Sequence, residues 1–183
     1  FAALVVLGGD RHVGAPRCVE HSRELRALIR TRQPDLLLGG WANPARDPAA
    51  QVEYLLAPNA TADFYLTQIV SHHSADRVGA FLEECDQRGV DVPGIFGVFY
   101  YWSANAGTLG QLGEFFPVPA EELAREFEAG ATPEEVLGKT LNALRAVGAD
   151  KVYISNLGHR RVQDRLAKVI SQSTIGADVS GRP

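Results

Sequence analysis

The sequence predicts an α/β protein built on parallel β-strands, and three observations support this class. Apolar, β-branched segments alternate five times along the 183 residues with segments whose apolar residues recur at helical spacing. The strand segments are continuously apolar, as in sheets covered on both faces. No two of them are separated by a short hairpin-type turn. This alternation predicts parallel strands joined by right-handed helical crossovers.

The five strand segments each end at glycines, polar residues or aromatic residues, which mark their carboxyl ends. In chain order they are AALVVLGGD, DLLLGGW, ADFYLTQIVSHH, VPGIFGVFYYW and DKVYISNLG. The first is predicted to be a buried strand, because every residue before its glycines is apolar. The third is the most β-like segment of the chain.

Helical segments follow the strands and carry recognisable start and stop signals. Pro16 suits the first turn of the first helix and Pro34 ends it. Further helices are predicted at residues 49–56, after Ser74, as two short helices between residues 105 and 130, after the capping box at 132–135, and over RRVQDRLAKVI. Behind the capping box, the residues predicted to face inward are Val136, Leu137, Thr140, Leu141 and Leu144. Five arginines interleaved with acids are predicted to form a solvated face of the first helix: Arg17, Arg23, Arg26, Arg30 and Arg32.

Composition places the chain among ordinary globular proteins, with 45% hydrophobic residues, 22% charged residues and a formal net charge of −4. This charge gives no reason to expect nucleic acid or an anionic membrane as a partner. The two cysteines lack C-x-x-C spacing, and neither a signal peptide nor a membrane-spanning apolar run is recognisable. A cytoplasmic setting is therefore expected.

Two architectures have this strand–helix alternation, an open doubly wound sheet and an eight-unit TIM-type barrel. An eight-unit barrel needs roughly 250 residues, so five βα units match the C-terminal five-eighths of one. Residues 1–170 are then the last five βα units of a single barrel domain, and residues 171–183 are a polar tail. The N-terminal part of the barrel is expected to be missing, since the chain starts inside a strand without a Met.

Both architectures place their active site at the carboxyl ends of the strands. Gln68 lies inside an apolar strand, where an unpartnered amide would cost about 1–3 kcal/mol. Asp10 and Gln68, with the aromatic residues that end other strands, fit a planar, nitrogen-rich heterocycle, although turn chemistry or a structural network explains each one alone. His72 and His73 are adjacent, so strand alternation predicts opposite faces, and no metal site is expected.

Three segments carry a resemblance to a known family. They are VLGGD at a strand end, the block ADFYLTQIVSHHSADRVGAFLEECDQRGVDVPGIFGVF, and ADKVYISNLG. In this order they resemble the barrel of methylenetetrahydrofolate reductase, with its LRGD strand end, its ITQ strand and G-I-x-V-P-I-x-P-G-I strand, and its final HFYTLN strand. The resemblance runs from Val6 to Asn156 and implies reduction of methylenetetrahydrofolate to methyltetrahydrofolate.

The resemblance also implies roles for individual residues. Asp10 would lie by the pterin as an ionised stabiliser of the iminium cation that accepts hydride. Gln68 would bind the pterin amide edge. Tyr101 is expected to stack on the substrate, with ordinary packing of the barrel mouth as the alternative. The other expected substrate contacts are Tyr153, Ser155 and Asn156, and the expected cofactor contacts are Gly9, Trp41, His72 and Trp102.

Departures from the family pattern argue against a bound flavin. The arginine of LRGD is Gly8 here, and the helix expected to carry basic residues for the FAD pyrophosphate has Leu55, Leu56 and Ala57. Each lost charge-assisted hydrogen bond forfeits about 1.5–3 kcal/mol. The sequence therefore predicts direct hydride transfer from NADH or NADPH, and FAD is not expected.

Three alternatives stay open. The chain could belong to a conventional FAD-dependent reductase whose missing contacts are made elsewhere. It could be a folate-binding barrel without catalysis, because Asp10 and Gln68 serve binding as well. It could also be a different one-carbon or deazaflavin-linked reductase on the same barrel.

Overall fold

A computed structural model describes residues 2–8, 19–58 and 60–173, and the strands within them form a five-stranded parallel sheet. The strands are β1 (Ala3–Val5), β2 (Leu37–Ala42), β3 (Phe64–Ile69), β4 (Gly94–Phe99) and β5 (Val152–Ser155). Each strand pairs with the next one in sequence, so the order is β1-β2-β3-β4-β5. A barrel has this sequential order, whereas a doubly wound sheet reverses its order at a switch point. The predicted α/β class is confirmed, as a parallel half-barrel with helices.

The helices of the described residues fall close to their predicted positions. They are α1 (Ser22–Arg32), α2 (Pro48–Leu56), a 3₁₀ helix (His72–Ser74), α3 (Ala75–Gln87), α4 (Ala106–Gly113), α5 (Ala120–Glu128), α6 (Pro133–Ala146) and α7 (Val162–Gln172). The predicted capping box is confirmed, because the Thr132 hydroxyl accepts from the Glu135 amide while the Glu135 carboxylate accepts from the Thr132 amide. Pro16 lies outside the described residues.

The main core lies between the sheet and the helices α2, α3, α6 and α7. The stripe predicted for α6 is confirmed, since Val136, Leu137, Thr140, Leu141 and Leu144 are all buried. Its partners from the sheet and the other helices include Val52, Val78, Phe81, Phe96, Val98 and Val169. The helices therefore attach to the sheet mainly by burial of apolar surface.

The segment between β4 and α6 builds a second, smaller core. Tyr101, Leu109 of α4, Leu123 of α5 and Val136 of α6 form it. The Phe116 ring packs against Phe99 at the end of β4, with 5.3 Å between ring centroids. The α4–α5 pair is thereby fixed next to the carboxyl end of β4. None of the described helices is long and apolar enough to cross a lipid bilayer.

The prediction that the first strand is buried is wrong. Strand β1 has only three residues, and β2 is its only strand partner among the described residues. Leu4 and Leu7 are 45% and 55% exposed. Apolar sequence alone could not reveal this, because burial of an edge strand depends on what covers its free side.

The prediction of a solvated arginine face on α1 is wrong for Arg26 and Arg30. Arg32 is exposed as predicted, and Arg17 lies outside the described residues. Arg26 is buried, and its Nε and Nη2 donate to the Ala60 carbonyl oxygen at 3.0 and 2.8 Å. Arg30 donates to the Asp63 carboxylate and to the Leu36 carbonyl oxygen. These arginines hold α1 against the loop that precedes β3, so they are structural rather than solvated.

Candidate functional site

A pocket of about 600 Å³ opens at the carboxyl ends of β1 and β2. Gly8, which follows β1, and Trp41 of β2 line it, together with Tyr54 and Leu55 of α2 and the start of α1. Trp41 is 37% exposed, so part of its ring is available to a ligand. A volume of this size suits a small organic molecule, and the two aromatic side chains suit a flat one.

Two arginines of α1, Arg23 and Arg26, also line this pocket. The Arg23 Nε is buried without a hydrogen-bond partner among the described residues. Burial first, and then repulsion from Arg23, lower the pKa of Arg26 below its usual range. Sequence reasoning assigned both to a solvated face. The signal it missed is their spacing of three residues, which puts both near the start of one helix.

A β-bulge distorts β3 where Gln68 lies. Leu66 pairs with Ile95 and Ile69 with Gly97, so three steps along β3 match two along β4. The Thr67 hydroxyl accepts from the Gly97 amide at 3.0 Å and so replaces a ladder bond within the irregular stretch. Bulges redirect a side chain and are common beside active sites. The bulge was not visible in the sequence, because FYLTQI contains neither glycine nor proline.

The Gln68 carboxamide is half-buried and partly engaged. Its oxygen accepts from the Ile69 amide at 2.9 Å, and its nitrogen donates to the Phe115 carbonyl oxygen at 3.3 Å. A carboxamide has two N–H groups and two lone pairs. One donor and one acceptor position of Gln68 are therefore left for a ligand.

Tyr153 of β5 is brought next to this bulge. Its hydroxyl donates to the Thr67 carbonyl oxygen at 2.7 Å, and its ring lies over Gly97. A Cβ on Gly97 would lie 2.5 Å from the Tyr153 hydroxyl oxygen, so the glycine is required for this approach. The ring crosses β4, and the hydroxyl donates its hydrogen to β3, so that hydrogen is not available to a ligand. Burial raises the pKa of Tyr153.

Asn156 and Trp102 meet above β4 and β5. Asn156 has a left-handed backbone with φ of 65°, its side-chain amide donates to the Tyr100 carbonyl oxygen at 3.0 Å, and its own carbonyl accepts from the Trp102 indole at 3.1 Å. The Arg165 guanidinium lies 4.3 Å from the Trp102 ring centroid. Ser155, which precedes this turn, is half-buried.

Tyr101 points into the second core instead of into the pocket. It is 5% exposed, and its hydroxyl has no hydrogen-bond partner among the described residues. Burial raises its pKa above the ordinary range of tyrosine. A stacking contact with substrate at Tyr101 gains no support from this position.

His72 and His73 lie on the same side of the chain, so the prediction of opposite faces is wrong. Strand β3 ends at Ile69, and both histidines belong to the 3₁₀ helix that follows. Each ring Nε2 lies 2.7 Å from Glu126 Oε1 of α5, and the ring centroids are 3.8 Å apart. Glu126 Oε2 accepts from Lys139 of α6 at 2.8 Å. Sequence reasoning missed Glu126, which is more than fifty residues away from both histidines.

Burial acts against charge at this cluster, which we call the histidine–glutamate cluster (His72, His73 and Glu126). Burial lowers the pKa of His72 more than its hydrogen bond to Glu126 raises it. Burial also opposes ionisation of Glu126, but the hydrogen bonds from Lys139, His72 and His73 outweigh it and bring the pKa of Glu126 to about 2. Glu126 is therefore a carboxylate at neutral pH.

The predicted site residues thus fall into separate groups. Trp41 and Gly8 share the pocket, Gln68 and Tyr153 meet at the bulge, Asn156 contacts Trp102, and His72 joins the histidine–glutamate cluster. Asp10 and Gly9 lie outside the described residues. All of the placed groups follow the carboxyl ends of strands or lie at them, as expected for a parallel sheet.

Comparisons with known proteins identify no family. No family model matches the sequence, and no curated protein matches it either. Among solved structures, a pyruvate carboxylase from Rhizobium etli, solved with the allosteric activator acetyl coenzyme A, aligns with 84% of this chain at 14% identity and a TM-score of 0.40. The alignment covers 16% of that carboxylase chain.

Proposed function

We propose that this chain supplies five βα units of a TIM-type barrel that reduces methylenetetrahydrofolate with NADH or NADPH and without a flavin. The sequential, parallel strand order supports a barrel. Strands β1 and β5 each have one neighbour among the described strands, so further strands can extend both edges. The three segments that resemble methylenetetrahydrofolate reductase support the chemistry.

The observation that carries the proposal is the pocket between Gly8 and Trp41. It lies at the carboxyl edge of a parallel sheet, where barrel enzymes hold their substrates. In the sequence, Gly8 is two residues before Asp10, the carboxylate that the resemblance assigns to the pterin. Trp41 and Tyr54 give the pocket flat apolar surfaces on which an aromatic ring can stack.

The proposed reaction has two chemical steps. The methylene bridge first breaks its bond to one folate nitrogen, which takes a proton, and leaves an iminium cation on the other nitrogen. Hydride from NAD(P)H then adds to the iminium carbon. Asp10 would stabilise the cation as a fixed carboxylate. Gln68 would hold the pterin edge through its remaining N–H and lone pair.

The absence of FAD from the proposal depends on Gly8, Leu56 and Ala57. A Cβ at Gly8 would meet no atom of the described residues within 4 Å, so their packing does not require a glycine there. A glycine in place of the family's arginine therefore fits the loss of a ligand contact. Leu56 is 40% exposed and offers no charge to a phosphate.

One observation favours a second candidate, the conventional FAD-dependent reductase. Arg23 and Arg26 line the pocket and supply positive charge that the α2 sequence lacks. A pyrophosphate could bind Arg23, whose Nε has no partner among the described residues. Arg26 is already engaged by the Ala60 carbonyl, which weakens this candidate.

An absorbance spectrum of the purified protein, followed by an NADH oxidation assay with methylenetetrahydrofolate and no added flavin, tests the proposal. We expect no flavin band, folate-dependent oxidation of NADH, and a sequential kinetic pattern. A flavin band with parallel double-reciprocal lines would establish the FAD-dependent candidate instead. If the protein shows no flavin band and no turnover, the remaining candidate is a folate-binding barrel without catalysis.

Replacing Asp10 by Asn separates catalysis from binding. We expect the Asp10→Asn variant to lose turnover by on the order of a hundredfold while its folate affinity changes much less, because the charge acts on the cationic intermediate. Asp91→Asn, at an exposed aspartate before β4, is the matched control and should retain turnover. Equal losses of affinity and turnover in Asp10→Asn would contradict the assigned role.

A further inference from the structure

We propose that His72, His73 and Glu126 bind a divalent transition-metal ion such as Zn²⁺. None of the three residues lines the pocket between Gly8 and Trp41, and the proposal does not rest on the folate chemistry, although His72 is also one of the expected cofactor contacts. The three residues come from two distant parts of the chain, the 3₁₀ helix after β3 and helix α5. Two imidazoles with one carboxylate form a ligand set that zinc and other borderline divalent metals accept.

The ligand atoms already converge on a single point. The ring nitrogens and a carboxylate oxygen lie within 4.8 Å of one another, and both Nε2 atoms approach Glu126 Oε1 to 2.7 Å. Bonds of about 2.0–2.2 Å in a tetrahedral site would separate the ligand atoms by about 3.3–3.6 Å. Each Nε2 must therefore move roughly 0.6–0.9 Å away from Glu126 Oε1 to admit the ion.

The hydrogen bonds around His72 fix which ring nitrogen is free. The Thr140 hydroxyl has one hydrogen and donates it to the Val136 carbonyl oxygen at 3.1 Å. Its oxygen must then accept from His72 Nδ1, 2.9 Å away, so Nδ1 carries the hydrogen. Nε2 is therefore the ring nitrogen that faces Glu126 Oε1, and the 2.7 Å between these two atoms requires a proton or a metal ion between them.

This arrangement matches the surroundings of metal-binding histidines. A ligating histidine commonly donates its other ring N–H to an oxygen that fixes the ring orientation, and Thr140 supplies that oxygen. Thr140 is itself buried in α6 and 4% exposed, so its position is rigid. The ligands are shielded as well, with side-chain exposures of 16% for His72, 23% for His73 and 14% for Glu126.

Lys139 is the competing cation at this cluster. Its ammonium binds Glu126 Oε2, which leaves Oε1 facing the two histidines. The Lys139 side chain is 54% exposed, so it can stay on Oε2 or move into solvent when a metal ion binds. Glu126 and Lys139 also line an open groove of about 610 Å³, which gives an ion access to the carboxylate.

The bound ion would tie the α4–α5 pair to the carboxyl end of β3. Glu126 is the α5 side chain that reaches the 3₁₀ helix, and Thr140 links the same histidine to α6. Three protein ligands leave at least one coordination position for water. The site would therefore be a metal ion that links α5 to the carboxyl end of β3 and keeps a coordination position for water.

Titration of the EDTA-treated protein with Zn²⁺, followed by isothermal calorimetry and by thermal unfolding, tests the site. We expect one ion per chain and a rise in the unfolding temperature. His73→Gln and Glu126→Gln should weaken binding by more than the roughly tenfold to hundredfold loss typical of outer-shell changes. The matched controls are His159→Gln and Glu128→Gln, at exposed residues away from the cluster, and they should bind as the parent does.

Thr140 gives a second, independent test. Thr140→Val should weaken Zn²⁺ binding about tenfold to hundredfold, whereas Thr140→Ser keeps the oxygen and should restore it. Absence of Zn²⁺ binding by the folded parent protein would overturn the proposal and leave a proton as the shared cation. Unchanged binding by His73→Gln, confirmed as folded by circular dichroism, would place the ion elsewhere and also overturn it.

Discussion

The helices at the two ends of the strand order, which we call the β1–β2 side and the β3–β5 side, are attached by different interactions. On the β1–β2 side, α1 exposes Leu25 and Leu28 and reaches the loop before β3 through Arg26 and Arg30. On the β3–β5 side, α3 and α6 attach through fully buried apolar stripes. Helix α1 therefore depends on charge and hydrogen bonding for its position. The other helices depend on apolar burial, which is insensitive to charge.

The largest expected effect comes from truncating the apolar side. Leu144→Ala, at a residue that is 0% exposed, should lower the free energy of unfolding by about 2–5 kcal/mol, because it leaves a cavity. Leu28→Ala on α1, where the side chain is 55% exposed, should change it by no more than about 0.5 kcal/mol. Urea unfolding measures both. Similar losses in the two variants would mean that the outer face of α1 is covered in the assembled protein.

The next largest effect is expected at the polar attachment of α1. Arg26→Met keeps most of the apolar stem but leaves the Ala60 carbonyl oxygen without its two donors. The free energy of unfolding should fall by about 1.5–3 kcal/mol, as for other hydrogen bonds to charged groups. Arg32→Met, at an exposed residue of the same helix, is the control and should change little. An unchanged free energy of unfolding in Arg26→Met would show that α1 does not depend on this hydrogen bonding for its position.

A smaller effect is expected at Asp63, whose contribution to the free energy of unfolding depends on pH. Burial raises the pKa of Asp63, but the Leu38 amide, the Arg30 hydrogen bond and the Arg30 charge together lower it below 3.8. A carboxyl group with a lowered pKa in the folded state stabilises that state above its unfolded pKa and loses the contribution as the pH falls through the folded one. The stability difference between the parent and Asp63→Asn should therefore be full at neutral pH and shrink below pH 3.8.

Asp35→Asn provides the control for this pH dependence, because Asp35 is an exposed aspartate in the loop before β2. Chemical unfolding at a series of pH values measures all three proteins. A difference between the parent and Asp63→Asn that stays constant down to the lowest pH would show that the carboxylate does not hold α1. The β3–β5 side has no part in this prediction, so Leu144→Ala should cost the same throughout.

How much could be predicted from the sequence also differs between the two sides. The stripe of α6 was predicted in full, because helical period and burial against one sheet are both local features. The roles of Arg26 and Arg30 were not, since their partners Ala60 and Asp63 lie more than thirty residues away. Exposure of β1 depends on strands beyond its own edge, which no local pattern encodes.

In the candidate site, too, local features were predictable and contacts between distant residues were not. The alignment of polar residues with strand ends was predictable, because parallel strands bring their carboxyl ends to one edge. The histidine–glutamate cluster was not, because the strand period was extended past Ile69, where the chain turns into a 3₁₀ helix. The bulge at Gln68 was equally hidden, since its cause is the register against β4.

The smallest expected effect concerns two neighbouring tyrosines inside the apolar side. Burial, together with the Glu134 carboxylate, raises the pKa of Tyr100 to about 12. The Tyr101 hydroxyl is buried with no partner among the described residues. Tyr100→Phe should therefore lower the free energy of unfolding by about 1–2 kcal/mol, while Tyr101→Phe should leave it unchanged or raise it by about 1 kcal/mol.

The two variants differ from the parent by the same atom, so each is the control for the other. Urea unfolding of both variants gives their free energies of unfolding. These show whether the Tyr101 hydroxyl is unsatisfied or has a hydrogen-bond partner. If Tyr101→Phe is as destabilising as Tyr100→Phe, the Tyr101 hydroxyl has a partner outside the described residues. The second core would then be more than a packing unit for the α4–α5 pair, and the substrate contact predicted for Tyr101 would have to be tested by the affinity of Tyr101→Phe for folate.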